Sequence, residues 1–143
     1  MIDIIDIARL TLIFIFSFFS SFLWHELCHG LEAIRQGSSK ANIIVKPWTM
    51  MTGGDHITNS KLFFLAGGLY SGIIFILAGL LTIDPYFRFS FLTVGLMNVF
   101  YSYYEMEYIT KHSPSIYRAI RYSIYFLTIL GMTCLFYFLG YIP

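Results

Sequence analysis

Leu10-Thr11-Leu12-Ile13-Phe14-Ile15-Phe16-Ser17-Phe18-Phe19-Ser20-Ser21-Phe22-Leu23-Trp24 runs without a charge straight into His25-Glu26-Leu27-Cys28-His29. The apolar part reads as a helix from Ile7 or Ala8 to about Glu32. A bilayer core is about 30 Å thick and takes about 20 helical residues, so this stretch is long enough to cross it. It makes a poor cleavable signal peptide. Asp3 and Asp6 replace the basic start, and Ser20–Trp24 is a poor cleavage site.

Outward from this helix, the rest of the chain asks for the same solvent. The 143 residues are 57% hydrophobic and only 12% charged, whereas a soluble domain carries about 25% charged residues. Three more apolar segments follow: Leu62 to Ile83, ended by Asp84-Pro85; about Phe89 to Ile109; and about Ile116 to Tyr141, opened by Ser113-Pro114-Ser115. Between the first two, Ala41–Lys46 reads as a strand that Pro47–Thr52 extends, Gly53-Gly54-Asp55 as a turn, and His56-Ile57-Thr58 as a short return strand. The expected fold is therefore an all-α integral membrane protein, a single domain over residues 1–143, with about four transmembrane helices and a short β-hairpin between helices 1 and 2. The lipid bilayer is its solvent, and a net charge of +1 points to no nucleic-acid partner. Arg35, Lys40, Lys46 and Lys61 fall in one connection and Lys111 in another, with Arg118 and Arg121 just beyond; Arg9 and Arg88 lie on the other side. The basic connections are expected in the cytoplasm and both termini outside. Cys28 and Cys134 have no disulfide or metal spacing and read as small apolar residues. The Tyr101–Tyr104 cluster reads as an interfacial aromatic belt.

The chemistry sits at the end of the first helix. His25 and His29 are four apart, so a helix puts both imidazoles on one face, where they can hold one Zn²⁺. Glu26 projects beside them and can exchange a proton with a bound water. Ionisable groups inside a span are costly and point to function, against the blander reading of a water-solvated cluster at a helix end. A catalytic zinc needs a third protein ligand and an open fourth position. Glu32, Asp55, His56, Asp84, Glu105, Glu107 and His112 are the candidates. At 1.5 Å per residue, His25 and His29 lie roughly 22–29 Å along the first span, and Glu105 and Glu107 roughly 24 and 27 Å along the third. Asp84 is on the wrong side and Glu32 further along the same helix. Asn98, seven residues before Glu105, shares its helical face and favours Glu105 over Glu107. His56 and His112 read as interfacial.

The segment His25-Glu26-Leu27-Cys28-His29-Gly30, followed by Pro47-Trp48, Gly53-Gly54, Leu65-Ala66-Gly67-Gly68-Leu69-Tyr70-Ser71 and Gly95-Leu96-Met97-Asn98-Val99, resembles the site-2 protease family of intramembrane zinc metalloproteases. The likeness covers roughly residues 20–107. The family's Leu-Asp-Gly is absent, and Tyr104-Glu105-Met106-Glu107 stands near its place. The resemblance implies one zinc on His25, His29 and Glu105, with Glu26 as general base and then general acid. It also implies that Asn98 bonds substrate backbone. The substrate is then a transmembrane protein or peptide, unwound near its end and captured along Ala41–Thr52 by strand addition. The active site lies near the cytoplasmic face. Two other readings stay open: a metal-binding but non-proteolytic membrane regulatory protein, and a structural helical subunit without metal.

Overall fold

Side chains that accept hydrogen bonds from free backbone amides set the helix starts. Asp3 accepts from the Ile5 amide at 3.2 Å, Asn59 from Leu62 at 3.0 Å, and Asp84 from Tyr86 at 2.9 Å and Phe87 at 3.1 Å. Pro85 follows Asp84 at the first helical position, where its missing N–H costs nothing. The computed structural model describes residues 3–46, 49–108 and 114–140. Among them run α1 (Ile4–Arg35), β1 (Ala41–Lys46), β2 (Thr49–Gly54), α2 (Ser60–Leu81), α3 (Pro85–Tyr108) and α4 (Pro114–Phe138). The expected helices are all present, and α1 and α3 begin a turn earlier than the apolar runs because the capping aspartates lie upstream. His112, Ser113 and the expected span ends at Ile109 and Tyr141 lie outside the described residues.

The hairpin differs from expectation in its turn. β1 pairs antiparallel with β2 in the register Ala41↔Gly54, Ile43↔Thr52 and Lys46↔Thr49. Gly53 and Gly54 therefore belong to the return strand, and His56–Thr58 is not a strand. The reason is close approach: a Cβ on Gly54 would meet Ala33 Cβ at 3.0 Å and crowd Ser38. Glycine here lets a strand lie on α1 and does not mark a reversal. Pro47 and Trp48, expected to extend the first strand, lie outside the described residues.

α1 stops where Gln36 caps it and Gly37 turns to φ +102°, a left-handed conformation that suits glycine. A clasp then joins this end to the start of α2. Glu32, fully buried, accepts from Arg35 Nε and Nη2 and from Gln36 Nε2, each at 2.7 Å. Gln36 in turn donates to the Asn59 carbonyl at 3.1 Å and accepts from the Asn59 amide at 2.7 Å. At the opposite end, Arg9 pairs with Asp84 at 2.5 Å and lies over the Tyr86 ring.

α3 is the central helix. It packs most extensively on α2 and also contacts α1 and α4. The α2–α3 seam is backbone against backbone. A Cβ on Gly72 would sit 2.6 Å from Val99 Cγ2 and 2.7 Å from the Gly95 carbonyl, and one on Gly95 would sit 2.9 Å from the Gly72 carbonyl. Small residues at both positions let the helix axes approach. α4 covers α3 through Met132 and Phe136 on Phe89, with Leu10 and Phe14 of α1 closing over them. Tyr101 and Tyr104 are buried, with Tyr104 stacked on Tyr117 at 5.4 Å and Tyr101 edge-on to Tyr125 at 5.9 Å. This corrects the expected belt: in that cluster Tyr103 is exposed, while Tyr101 and Tyr104 form part of the α3–α4 interface.

Ile73, Ile74, Leu77, Leu80 and Leu81 on α2, and Phe126, Leu127 and Leu130 on α4, face outward. Such continuous apolar faces suit lipid. Ile4–Arg35, Ser60–Leu81 and Ser115–Phe138 are long and apolar enough to cross a membrane, which makes this a multi-pass membrane protein by length and composition. α3 is not among the three; its Ser, Thr, Asn and Tyr content lowers its hydropathy, and these residues mostly face protein.

The glycine seam gives a direct test. We expect Gly72→Ala to overpack α2 against α3 and cost about 1–3 kcal/mol. Gly131→Ala, with no neighbour among the described residues within 4 Å to meet its Cβ, should be neutral or stabilising by up to about 1 kcal/mol through helix propensity. Thermal unfolding in detergent reads both, and equal melting temperatures for the two variants would contradict the seam.

Candidate metal centre

Helical spacing sends two faces of α1 in different directions. His25, His29 and Glu32 share one, toward α2 and α3; Glu26, Gly30 and Ala33 share the next, toward the hairpin. On α3, Asn98, Tyr101 and Glu105 follow at intervals of three and four and face α1. His25 Nε2 lies 3.0 Å from His29 Nε2, and Glu105 Oε2 lies 3.2 Å from the first and 3.7 Å from the second. All three residues are buried, at 4–8% exposure.

The outer ring nitrogens fix what the inner ones can do. His29 Nδ1–H donates to the Phe63 carbonyl at 2.7 Å, an acceptor with no proton to give. His25 Nδ1–H donates to Asn98 Oδ1 at 3.3 Å, and the same amide donates through Nδ2 to the Val94 carbonyl at 2.9 Å. With Nδ1 protonated on each neutral imidazole, both Nε2 atoms carry lone pairs. Three acceptors then face one another among buried side chains, and Glu105 Oε2 makes no hydrogen bond among the described residues. One shared proton satisfies one pair of them; a metal ion satisfies all three. Zinc bonds nitrogen at about 2.0–2.1 Å, which sets tetrahedral ligand atoms about 3.3 Å apart. The observed separations of 3.0, 3.2 and 3.7 Å bracket that value. The donor set fits a divalent ion, and its Nδ1 partners are the kind that orient ligating histidines.

The ring planes are held as well. His29 stacks on Phe63 with centroids 4.7 Å apart, and His25 tilts against Tyr101 at 5.8 Å. Gly67 passes so close that a Cβ there would collide with the His29 imidazole. Glu26 is not a member of the group. Its Oε2 accepts from Thr52 Oγ1 at 2.7 Å, and its charge is within electrostatic reach of His25.

The structure separates the two carboxylates that sequence left open. Glu105 joins the histidines, while Glu107, two residues on, turns to Lys61 at 3.4 Å. Asn98 comes to the centre too, with both ends of its amide engaged by His25 and Val94. The other candidates lie elsewhere. Glu32 is held by Arg35, and Asp84 by Arg9 at the far end. Asp55 sits in the hairpin connection, where the Ser39 hydroxyl holds its carboxyl below the usual carboxylate range. His56 is exposed beside Ser38. Among the described residues, His25, His29 and Glu105 are the one group arranged to hold a metal ion. The roles of the Phe63 carbonyl, Tyr101 and Thr52 have no sequence signal, since backbone acceptors and ring contacts leave none, whereas the Gly67-Gly68 pair reads from sequence as a place of close helix approach. Compared with known proteins, the chain matches no family model, no curated protein and no solved structure.

Metal analysis of protein purified in detergent tests the centre. We expect close to one zinc per chain in the wild type and in Glu107→Ala, and loss of most of it in Glu105→Ala and His29→Ala. Acid should release the ion from wild type, because imidazole and carboxylate bind metal only when deprotonated. Equal zinc in Glu105→Ala and Glu107→Ala would overturn the assignment.

Proposed function

We propose that this chain is a zinc-dependent intramembrane endopeptidase that hydrolyses a peptide bond in or near a transmembrane segment of its substrate. The observation that carries the reading is the buried His25-His29-Glu105 group with Glu26 next to His25 in sequence. Two histidines and a glutamate form a donor set used by catalytic zinc, and three protein donors leave a fourth position for water or substrate. In this reading α3 is a fourth span. Its 24 residues reach about 36 Å, and α1, α2 and α4 shield its polar side from lipid. Both termini face outward and the centre lies near the cytoplasmic face, as the Lys and Arg distribution indicates.

His25, His29 and Glu105 would hold the zinc, which when bound polarises a carbonyl and lowers the pKa of water to about 7. Glu26 takes a proton from the attacking water as the water oxygen adds to the carbonyl carbon. It then passes that proton to the amide nitrogen as the C–N bond breaks, which leaves a carboxyl end and an amine end. Asn98 and the Phe63 carbonyl keep the two imidazoles in the tautomer that ligates. The ring of α2, α3 and Tyr101 excludes bulk water. A substrate helix must unwind to present its carbonyls, and an open edge of the β1–β2 sheet offers hydrogen bonds to an extended stretch.

The test is cleavage of a transmembrane substrate by zinc-loaded protein in vesicles. We expect Glu26→Gln to lower kcat about 10²–10⁴-fold while the zinc content stays near one per chain. Zinc bound with no cleavage of any membrane substrate would make the chain a metal-binding regulator instead.

A further inference from the structure

The second face of α1, through Glu26, Gly30 and Ala33, is where the hairpin lies. Small residues make each contact. A Cβ on Gly30 would sit 3.5 Å from Ala41 Cβ and 3.8 Å from Thr52 Cγ2, and Gly54 rests on Ala33. β2 therefore runs close along the helix, and in this tight seam one polar contact stands out. Thr52 Oγ1 lies 2.7 Å from Glu26 Oε2 and 3.1 Å from the Glu26 carbonyl. The hydroxyl has one proton for two acceptors. Against an ionised carboxylate, the shorter charge-assisted bond takes it. Thr52 is itself constrained, because it is β-branched with few χ1 choices and its backbone is paired with Ile43. Glu26, by contrast, has a long flexible side chain, and placing it costs conformational entropy that the bond to a partner offsets.

We infer that Thr52 is a positioning residue for Glu26, so that the hairpin and not α1 alone sets where the general base points. This rests on the peptidase reading above. Thr52 anchors Oε2, and the proton of the attacking water goes to Oε1. The same strand that would lengthen its sheet with substrate backbone thus carries the side chain that aims the base. Substrate capture and alignment of the base become one mechanical event. A Thr52 that only filled space in the seam would be replaced without loss by any side chain of the same shape.

Thr52→Val keeps the shape and removes the donor; Thr52→Ser keeps the donor. With zinc-loaded protein in vesicles and a transmembrane peptide substrate, we expect Thr52→Val to lower kcat about 10–100-fold. KM should stay within about threefold, and Thr52→Ser should recover most of the rate. A rise in KM with kcat preserved, or no rescue by serine, would overturn the assignment. A second readout does not need activity. Amide hydrogen exchange over residues 41–54 should speed up at least about fivefold in Thr52→Val and in Glu26→Ala, and no further in the double variant, since both remove one bond. Glu26→Gln, which keeps a neutral acceptor, should fall between wild type and Glu26→Ala and serves where the alanine variant does not fold. Unchanged exchange in Thr52→Val, or additive effects in the double variant, would overturn the Thr52–Glu26 link. Cleavage absent from wild type would remove the peptidase reading alone, and the exchange cycle would still decide whether Thr52 holds Glu26.

Discussion

Three lone-pair acceptors, His25 Nε2, His29 Nε2 and Glu105 Oε2, meet among buried side chains, and the packing around them holds that arrangement. Left alone they repel, because each is an acceptor with no donor among the described residues. A cation at their centre reverses the sign of the interaction. The remaining contacts prevent the arrangement from relaxing in any other way. The Phe63 carbonyl and Asn98 take up the Nδ1 protons, and Phe63 and Tyr101 fix the ring planes.

Bringing a carboxylate on α3 to two imidazoles on α1 requires α2 to stand aside and yet stay close. Glycine does both. At Gly67 the α2 backbone passes directly beside His29, and at Gly72 it presses on Gly95 of α3. The lipid-facing sides of α2 and α4 are free to be bulky, and they are. Polar content is concentrated on α3, the helix with neighbours on most sides. Its lower hydropathy follows from its central place.

The helices and the two histidines are legible because their signals are periodic or local: long apolar runs and a four-residue spacing; the Asp3, Asn59 and Asp84 caps emerge only in the structure. The choice of Glu105 followed from depth along the helix and from the face it shares with Asn98, and the structure places it beside the histidines. The hairpin turn was misread. Gly53-Gly54 has the composition of a reversal, but its glycines answer to a helix that is distant in sequence. The Tyr101–Tyr104 cluster failed for a similar reason, since its partners Tyr117 and Tyr125 lie on α4. Thr52 was illegible because a threonine in a strand is ordinary, and only the fold brings it to Glu26.

The clasp of Glu32, Arg35, Gln36 and Asn59 ties the end of α1 to the start of α2 at the neck of the intervening segment. The segment beyond that neck is a closed excursion, and the entropy of closing such a loop grows only with the logarithm of its length. His29 and the Phe63 carbonyl sit on the helical side of the neck, so their register is insulated from what hangs beyond it. Extra residues inserted between Lys46 and Thr49 would lengthen a loop whose ends the clasp already fixes, so each doubling of its length would cost only about 0.6 kcal/mol.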